Sequence, residues 1–108
     1  MKPYSLEVIK SDGSVEKFSR DKLVKGVSKA CEKRPVDKKK IENVVDSIEA
    51  TITEDNRDKI STEIIGEMVM ERLKELDEVA YMRFASVYRS FEDINSFKKE
   101  LEHLNSEN

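Results

Sequence analysis

Cysteine and histidine each occur once in this 108-residue chain and tryptophan not at all, and each scarcity removes a class of chemistry. A single cysteine, Cys31, makes neither an intramolecular disulfide nor a four-ligand zinc site, which points to an intracellular, cytoplasmic protein. With His103 as the only histidine there is no Ser/His/Asp or Cys/His set for nucleophilic catalysis. That histidine lies in a polar C-terminal segment and reads as solvated surface. The three glycines, Gly13, Gly26 and Gly66, are isolated, so no Walker-type loop and no GxGxxG turn is present. No apolar run approaches the ~18 residues that span a membrane, and the N-terminus lacks the apolar stretch of a signal peptide. Nothing in this inventory argues for an enzyme.

Charge, by contrast, is plentiful. Charged residues make up 40% of the chain and hydrophobic ones only 37%, yet a packed fold is still expected because the apolar residues recur periodically. The length allows one domain with one core and a shallow cleft. The formal net charge is -3, which disfavours a surface given over to nucleic acid and leaves open only a local basic patch.

The first element is a hairpin. Leu6 to Lys10 and Val15 to Phe18 flank Ser11-Asp12-Gly13-Ser14, and Asp-Gly between two such runs is a strong turn signal. Leu6 and Val8 share one face of the first strand; Val15 and Lys17 share a face of the second, with Glu16 and Phe18 on the other. Helix one is expected from about Ser19, an N-cap, to Lys33, stopped by Pro35. Its apolar stripe is Leu23, Val24, Val27, Ala30 and Cys31, which makes Cys31 a core residue rather than a nucleophile. Helix two starts at the N-cap Asp37 and buries Ile41, Val44, Val45, Ile48 and Ile52. The polar segment Thr53 to Asp58 reads as a loop. Helix three begins near Ser61 or Thr62 and presents Ile64 or Ile65, Met68, Val69, Leu73 and Leu76. Asp77 restarts the chain as the N-cap of helix four, with Ala80, Phe84, Val87, Tyr88 and Phe91 on its stripe. Beyond Asp93 a helical turn around Phe97 and Leu101 is expected, followed by fraying. The fold class is therefore α+β, a hairpin or small sheet lying as a lid on about four helices. Residues 1–101 form the domain and 102–108 a polar tail.

The lysines carry the most information about function. Lys22, Lys25, Lys29 and Lys33 recur at helical spacing and flank the stripe of helix one. If the hairpin packs on that helix, Lys10 approaches Lys22, and clustered ammonium groups gain by binding phosphate. The alternative is an ordinary solvated lysine face. Glu16 and Ser19 lie between these lysines in sequence and can hydrogen-bond a base or a ribose, although Ser19 also serves as a cap.

Val8-Ile9-Lys10-Ser11-Asp12-Gly13-Ser14-Val15-Glu16-Lys17-Phe18, followed by Asp21-Lys22-Leu23, resembles the opening of the ATP-cone, a nucleotide-sensing domain found at the N-terminus of many ribonucleotide reductases. Ala30 to Val36, Val69 to Tyr81 and Arg83 to Phe91 resemble more narrowly the cone of the NrdR family, bacterial repressors of ribonucleotide reductase genes. These matches cover most of residues 6 to 101. The resemblance implies an allosteric, non-catalytic module that takes ATP or dATP, with Mg2+ on the phosphates, between hairpin and helices. It places Val8 and Lys10 at the nucleotide on the first strand, Glu16 and Ser19 near the base or sugar, and Lys22 at the phosphates. It puts Thr62 and Gly66 in the base pocket and, less specifically, Tyr88 and Arg89 at the phosphate end. Ser11 stands at the site where relatives usually carry a second basic residue before Asp-Gly, so one phosphate contact is expected to be missing. NrdR proteins also carry an N-terminal four-cysteine zinc ribbon; this chain starts at the cone and lacks those cysteines. Direct DNA binding is therefore not expected of it, whereas pairing of cones into homo-oligomers is. Two rival readings remain from the residues alone. One is a ligand-free helical interaction module docking a partner through Phe97, Leu101 and Leu104. The other is a DNA binder using helices three and four, against which the charge balance speaks.

Overall fold

The structure is a computed structural model that describes residues 6–55, 58–91 and 93–106. Eight elements follow one another: β1 (Glu7–Ile9), β2 (Val15–Lys17), α1 (Arg20–Ala30), α2 (Lys38–Glu54), β3 (Lys59–Ser61), α3 (Thr62–Leu76), α4 (Glu78–Tyr88) and α5 (Ile94–Ser106). The architecture is the α+β arrangement expected, a small sheet against a helical bundle.

The sheet holds one strand more than the expected hairpin. Its order is β2-β1-β3, with β1 antiparallel to β2 and parallel to β3. The register aligns Val8 with Glu16 on one side and with Ile60 on the other. Aligned residues share a face of the sheet, and here it is the inner one, since Val8 and Ile60 are buried in the same core as α1 and α2. β3 lies just after the segment read as a loop. With a single apolar residue, Ile60, and a partner about fifty residues away, it gives no local strand signal. Helix α2 takes in Thr53 and Glu54, which shortens that loop; its residues Asn56 and Arg57 lie outside the described residues.

The helix caps act where the sequence put them. Ser19, Asp37 and Ser61 each accept a hydrogen bond from a backbone N–H three residues on, and Asp77 does so for Ala80. Each satisfies a donor that a helix start otherwise leaves open. α1 stops at Ala30, short of the expected Lys33. Arg83 of α4 donates to the carbonyls of Ala30 and Glu32, and Lys33 adopts a φ of 60°, so the chain turns before Pro35.

The core is made of the expected residues of α1 and α2, including Val27, Cys31, Val45, Ile48 and Ile52, together with Val69, Leu73 and Ala80. Burial by these neighbours pushes the Cys31 thiol up, and Asp77 adds to the effect, as befits a packing residue. Two expectations for α4 and α5 are corrected. Val87 is 79% exposed, at the border of an open groove that it shares with Gly26, Lys29 and Phe84. Tyr81 and Ala85 are buried instead. The C-terminal segment does not fray after one turn: α5 runs on through the residues read as tail, and Leu104 is 1% exposed. Phe97 packs edge-on against Phe91. The apolar residues read as a partner's docking site are thus largely used within the bundle. Among the described residues no helix is long and apolar enough to cross a membrane.

Candidate functional site

The residues singled out from the sequence belong to two groups of side chains. The first belongs to the hairpin and α1. Lys10 closes the turn from both sides, its N–H donating to the Ser14 carbonyl and its own carbonyl accepting from Gly13 N–H. Gly13 sits at φ 90°, a left-handed conformation that glycine adopts without strain. Asp12 accepts from both the N–H and the hydroxyl of Ser14, and these bonds hold its carboxyl below the usual range. Ser11 lies exposed in the turn.

This turn leaves Lys10 at the end of β1, while the Ser19 cap places Lys22 in the first turn of α1. The Lys22 ammonium stands 3.4 Å from Glu16 Oε1 and 3.5 Å from Oε2, and the Lys10 ammonium lies 4.0 Å from the same Oε1. Two cations from separate elements therefore share one carboxylate, which leaves the cluster with a surplus positive charge. Both remain in contact with water, with side-chain exposures of 48% for Lys10 and 70% for Lys22, so this pairing adds little to stability and leaves the ammonium groups available. Val8 lies opposite Glu16 across the sheet and is buried in the core. Thr62 follows directly on Ser61, which pairs with Ile9, so the start of α3 adjoins the Lys10 end of β1.

The second group links α3, α4 and α5. Gly66 is buried in α3 because the Tyr88 ring takes the space of a side chain: a Cβ built there would lie 2.1 Å from Tyr88 Cε1. The Tyr88 hydroxyl donates to the Glu63 carbonyl at 2.7 Å and lies 3.3 Å from Glu67 Oε2. Burial pushes this phenol up, and the Glu67 carboxylate pushes it further. Arg89 sits between two carboxylates, 3.3 Å from Glu67 Oε2 and 2.9 Å from Glu100 Oε1, with its guanidinium carbon 5.5 Å from the centre of the Tyr88 ring. A cleft of about 560 Å³ runs beside this group along α3, with Ser61, Glu63, Glu67 and Tyr88 in its walls.

The ten residues singled out from the sequence thus fall into two clusters joined through the first turn of α3: Val8, Lys10, Ser11, Glu16, Ser19, Lys22 and Thr62 on one side, Gly66, Tyr88 and Arg89 on the other. The sequence reading missed Glu63, Glu67 and Glu100. The first two are a four-residue pair flanking Gly66, a spacing that carries some signal. Glu100 lies in a segment read as marginal and carries none.

The contact between Gly66 and Tyr88 makes a direct prediction. Gly66→Ala adds about 1 kcal/mol of helix propensity, but seating the new Cβ displaces the ring, and overpacking of this kind costs about 1–3 kcal/mol. Urea unfolding is expected to show a net loss in the wild-type background and a net gain in a Tyr88→Ala background. A gain in both would show that the ring does not occupy that space.

Comparison with known proteins settles the family. The family model described as ATP cone domain matches residues 6–94. The chain belongs to the ATP-cone family. It is also similar to the transcriptional repressor NrdR of three bacteria. In Pelobacter propionicus the identity is 54% over 97 residues, covering 90% of this chain and 65% of the relative. In Pelotomaculum thermopropionicum it is 53% over 104 residues, or 96% and 63%, and in Caldicellulosiruptor saccharolyticus 54% over 100 residues, or 93% and 65%. This ATP cone therefore spans slightly less than two thirds of the length of those repressors. The matched span of the cone includes both clusters apart from Glu100, and it ends at the residue with which α5 begins.

Proposed function

We propose that this ATP cone binds ATP or dATP between its hairpin and the start of α3, and that occupancy serves as a signal in the control of ribonucleotide reductase or of its genes. The observation that carries the reading is the convergence of Lys10 and Lys22 on one carboxylate. A pair of ammonium groups with a single shared counter-ion suits a polyphosphate, whose oxygens replace Glu16 as partners of both. Mg2+ enters with the phosphates, and the missing charge at Ser11 leaves room for it. Val8 and the aliphatic stems of the lysines line the sugar side, while Thr62 and Tyr88 take the base; Gly66, covered by the Tyr88 ring, makes room for that ring rather than for the base. Arg89, already held by two carboxylates, belongs at the base end rather than with the phosphates. Family membership and the repressor names of the similar proteins support a regulatory role over a catalytic one.

For such a site to signal, nucleotide must bind two states of the protein with different affinity. The two states proposed are the separate cone and a homo-oligomer of cones. Ligand at about 100 times its Kd adds about 2.7 kcal/mol to stability, which for a domain of this size is a rise of about 10 °C or more in Tm. Thermal unfolding with millimolar ATP or dATP and magnesium is expected to show that rise, and Lys22→Ala to lose most of it. An unchanged Tm with either nucleotide would rule out the site.

A further inference from the structure

α5 begins where the family match stops, yet it supplies a buried carboxylate. Glu100 is 9% exposed. A carboxylate removed from water is costly unless both its oxygens find partners, and here both do. Oε1 receives Arg89 Nε at 2.9 Å, and Oε2 accepts from the Tyr81 hydroxyl. Arg89 in turn reaches Glu67 and lies against the Tyr88 ring. Tyr88 fills the space above Gly66 and holds the first turn of α3 through the Glu63 carbonyl. An unbroken line of contacts thus runs from α5 to the residue beside Thr62.

The charges along this line also have a direction. Glu67 and Glu100 together outweigh the single guanidinium, so this end of the site is negative, whereas the Lys10 and Lys22 end is positive. A nucleotide set between them is oriented, phosphates toward the lysines and base toward Tyr88. The guanidinium is a rigid fork; once one carboxylate is removed, it turns toward the other and leaves the ring to Phe84, stacked on it at 5.9 Å, and to the Glu63 carbonyl alone.

We propose that Glu100 is a positioning residue for the nucleotide site: acting through Arg89, it holds the Tyr88 ring in place over Gly66 and so shapes the end that receives the base. On this account α5 is a working part of the cone. The proposal rests on the nucleotide reading above and adds to it a residue outside the matched span.

The test is isothermal titration of the full chain with ATP and, separately, with sodium tripolyphosphate, which has the phosphates but no base. Glu100→Gln is expected to weaken ATP about tenfold, the scale of one charge-assisted hydrogen bond, and to leave tripolyphosphate within about twofold of the wild type. In a Tyr88→Ala background the same substitution is expected to weaken ATP no further, because residues acting as one unit are not additive. Equal losses for both ligands, or losses that multiply in the double variant, would show that Glu100 acts on overall stability alone and would overturn the proposal. Tyr81→Phe serves if Glu100→Gln does not fold: it leaves Arg89 paired, frees one carboxylate oxygen, and is expected to reduce ATP affinity selectively by about threefold on the same scale. Unaltered ATP affinity in that variant would equally overturn it. Wild-type protein that binds neither ligand would remove the nucleotide reading itself, whereas wild-type binding with an indifferent Glu100→Gln removes only the role given to α5.

Discussion

Asp77→Ala is expected to destabilise the fold by about 3 kcal/mol, of which about 1 is the lost helix cap and the rest charge-assisted hydrogen bonds. In Tm this corresponds to a fall of about 15 °C for a domain of this size. Asp77 ends α3 and begins α4 in a single residue. Its carboxylate accepts from the Ala80 N–H at 2.9 Å and receives Arg34 Nε at 3.0 Å on each oxygen, with only 6% of the side chain exposed. Three elements therefore depend on it, since Arg34 fixes the turn between α1 and α2. Burial alone would raise its pKa, but the hydrogen bonds from Arg34 and from the backbone N–H groups of Ala80 and Val79 outweigh that and hold the carboxyl below its ordinary value. A carboxyl depressed in the folded state contributes stability above its unfolded pKa of about 3.9 and loses that contribution as the pH falls through the folded value. The stability difference between wild type and Asp77→Asn is accordingly expected to be full at neutral pH and to shrink below about pH 4, measured by urea unfolding across the acid range. A difference that stays constant down to low pH would mean that the ionised form makes no special contribution.

Leu104→Ala is expected to cost a similar amount, about 3 kcal/mol, within the range for emptying a fully buried leucine site. Leu104 sits near the end of α5, in the stretch that composition alone reads as tail, yet it is 1% exposed and belongs to the core. A frayed tail would make the substitution neutral, so equilibrium unfolding of this one variant separates a docked α5 from a loose one. Substituting Leu101, which is 39% exposed, provides the control and is expected to have a much smaller effect.

The parts of this fold that were legible in the sequence are those governed by neighbouring residues. Asp-Gly announced the turn, the four cap residues announced four helix starts, and the spacing of Ile41, Val44, Val45, Ile48 and Ile52 announced the buried face of α2. The parts that escaped depend on contacts distant in sequence. Lys59–Ser61 becomes a strand only because β1 lies beside it. Val87 has the right residue type and the right angular position for burial, but it borders an open groove that no neighbouring element fills. Leu104 is buried because α4 provides a surface for it, which no local pattern reports. The site divides along the same line. The lysine cluster could be anticipated from a hairpin followed at once by a helix, because that connection leaves few ways to arrange Lys10 and Lys22. The packing of Tyr88 over Gly66 joins positions twenty-two residues apart; the family resemblance set the two at opposite ends of the nucleotide and gave no sign of it. Glu100 needed the structure.

The order of the strands has a kinetic corollary. β1 meets β2 across a short turn but meets β3 only after about fifty intervening residues, and closing so long a loop is the slower event. During synthesis Lys10, Glu16 and Lys22 leave the ribosome well before Tyr88 and Arg89, which lie more than sixty residues further on. Under the proposed function, retention of nucleotide would therefore report a chain folded to completion, since no early intermediate owns both walls.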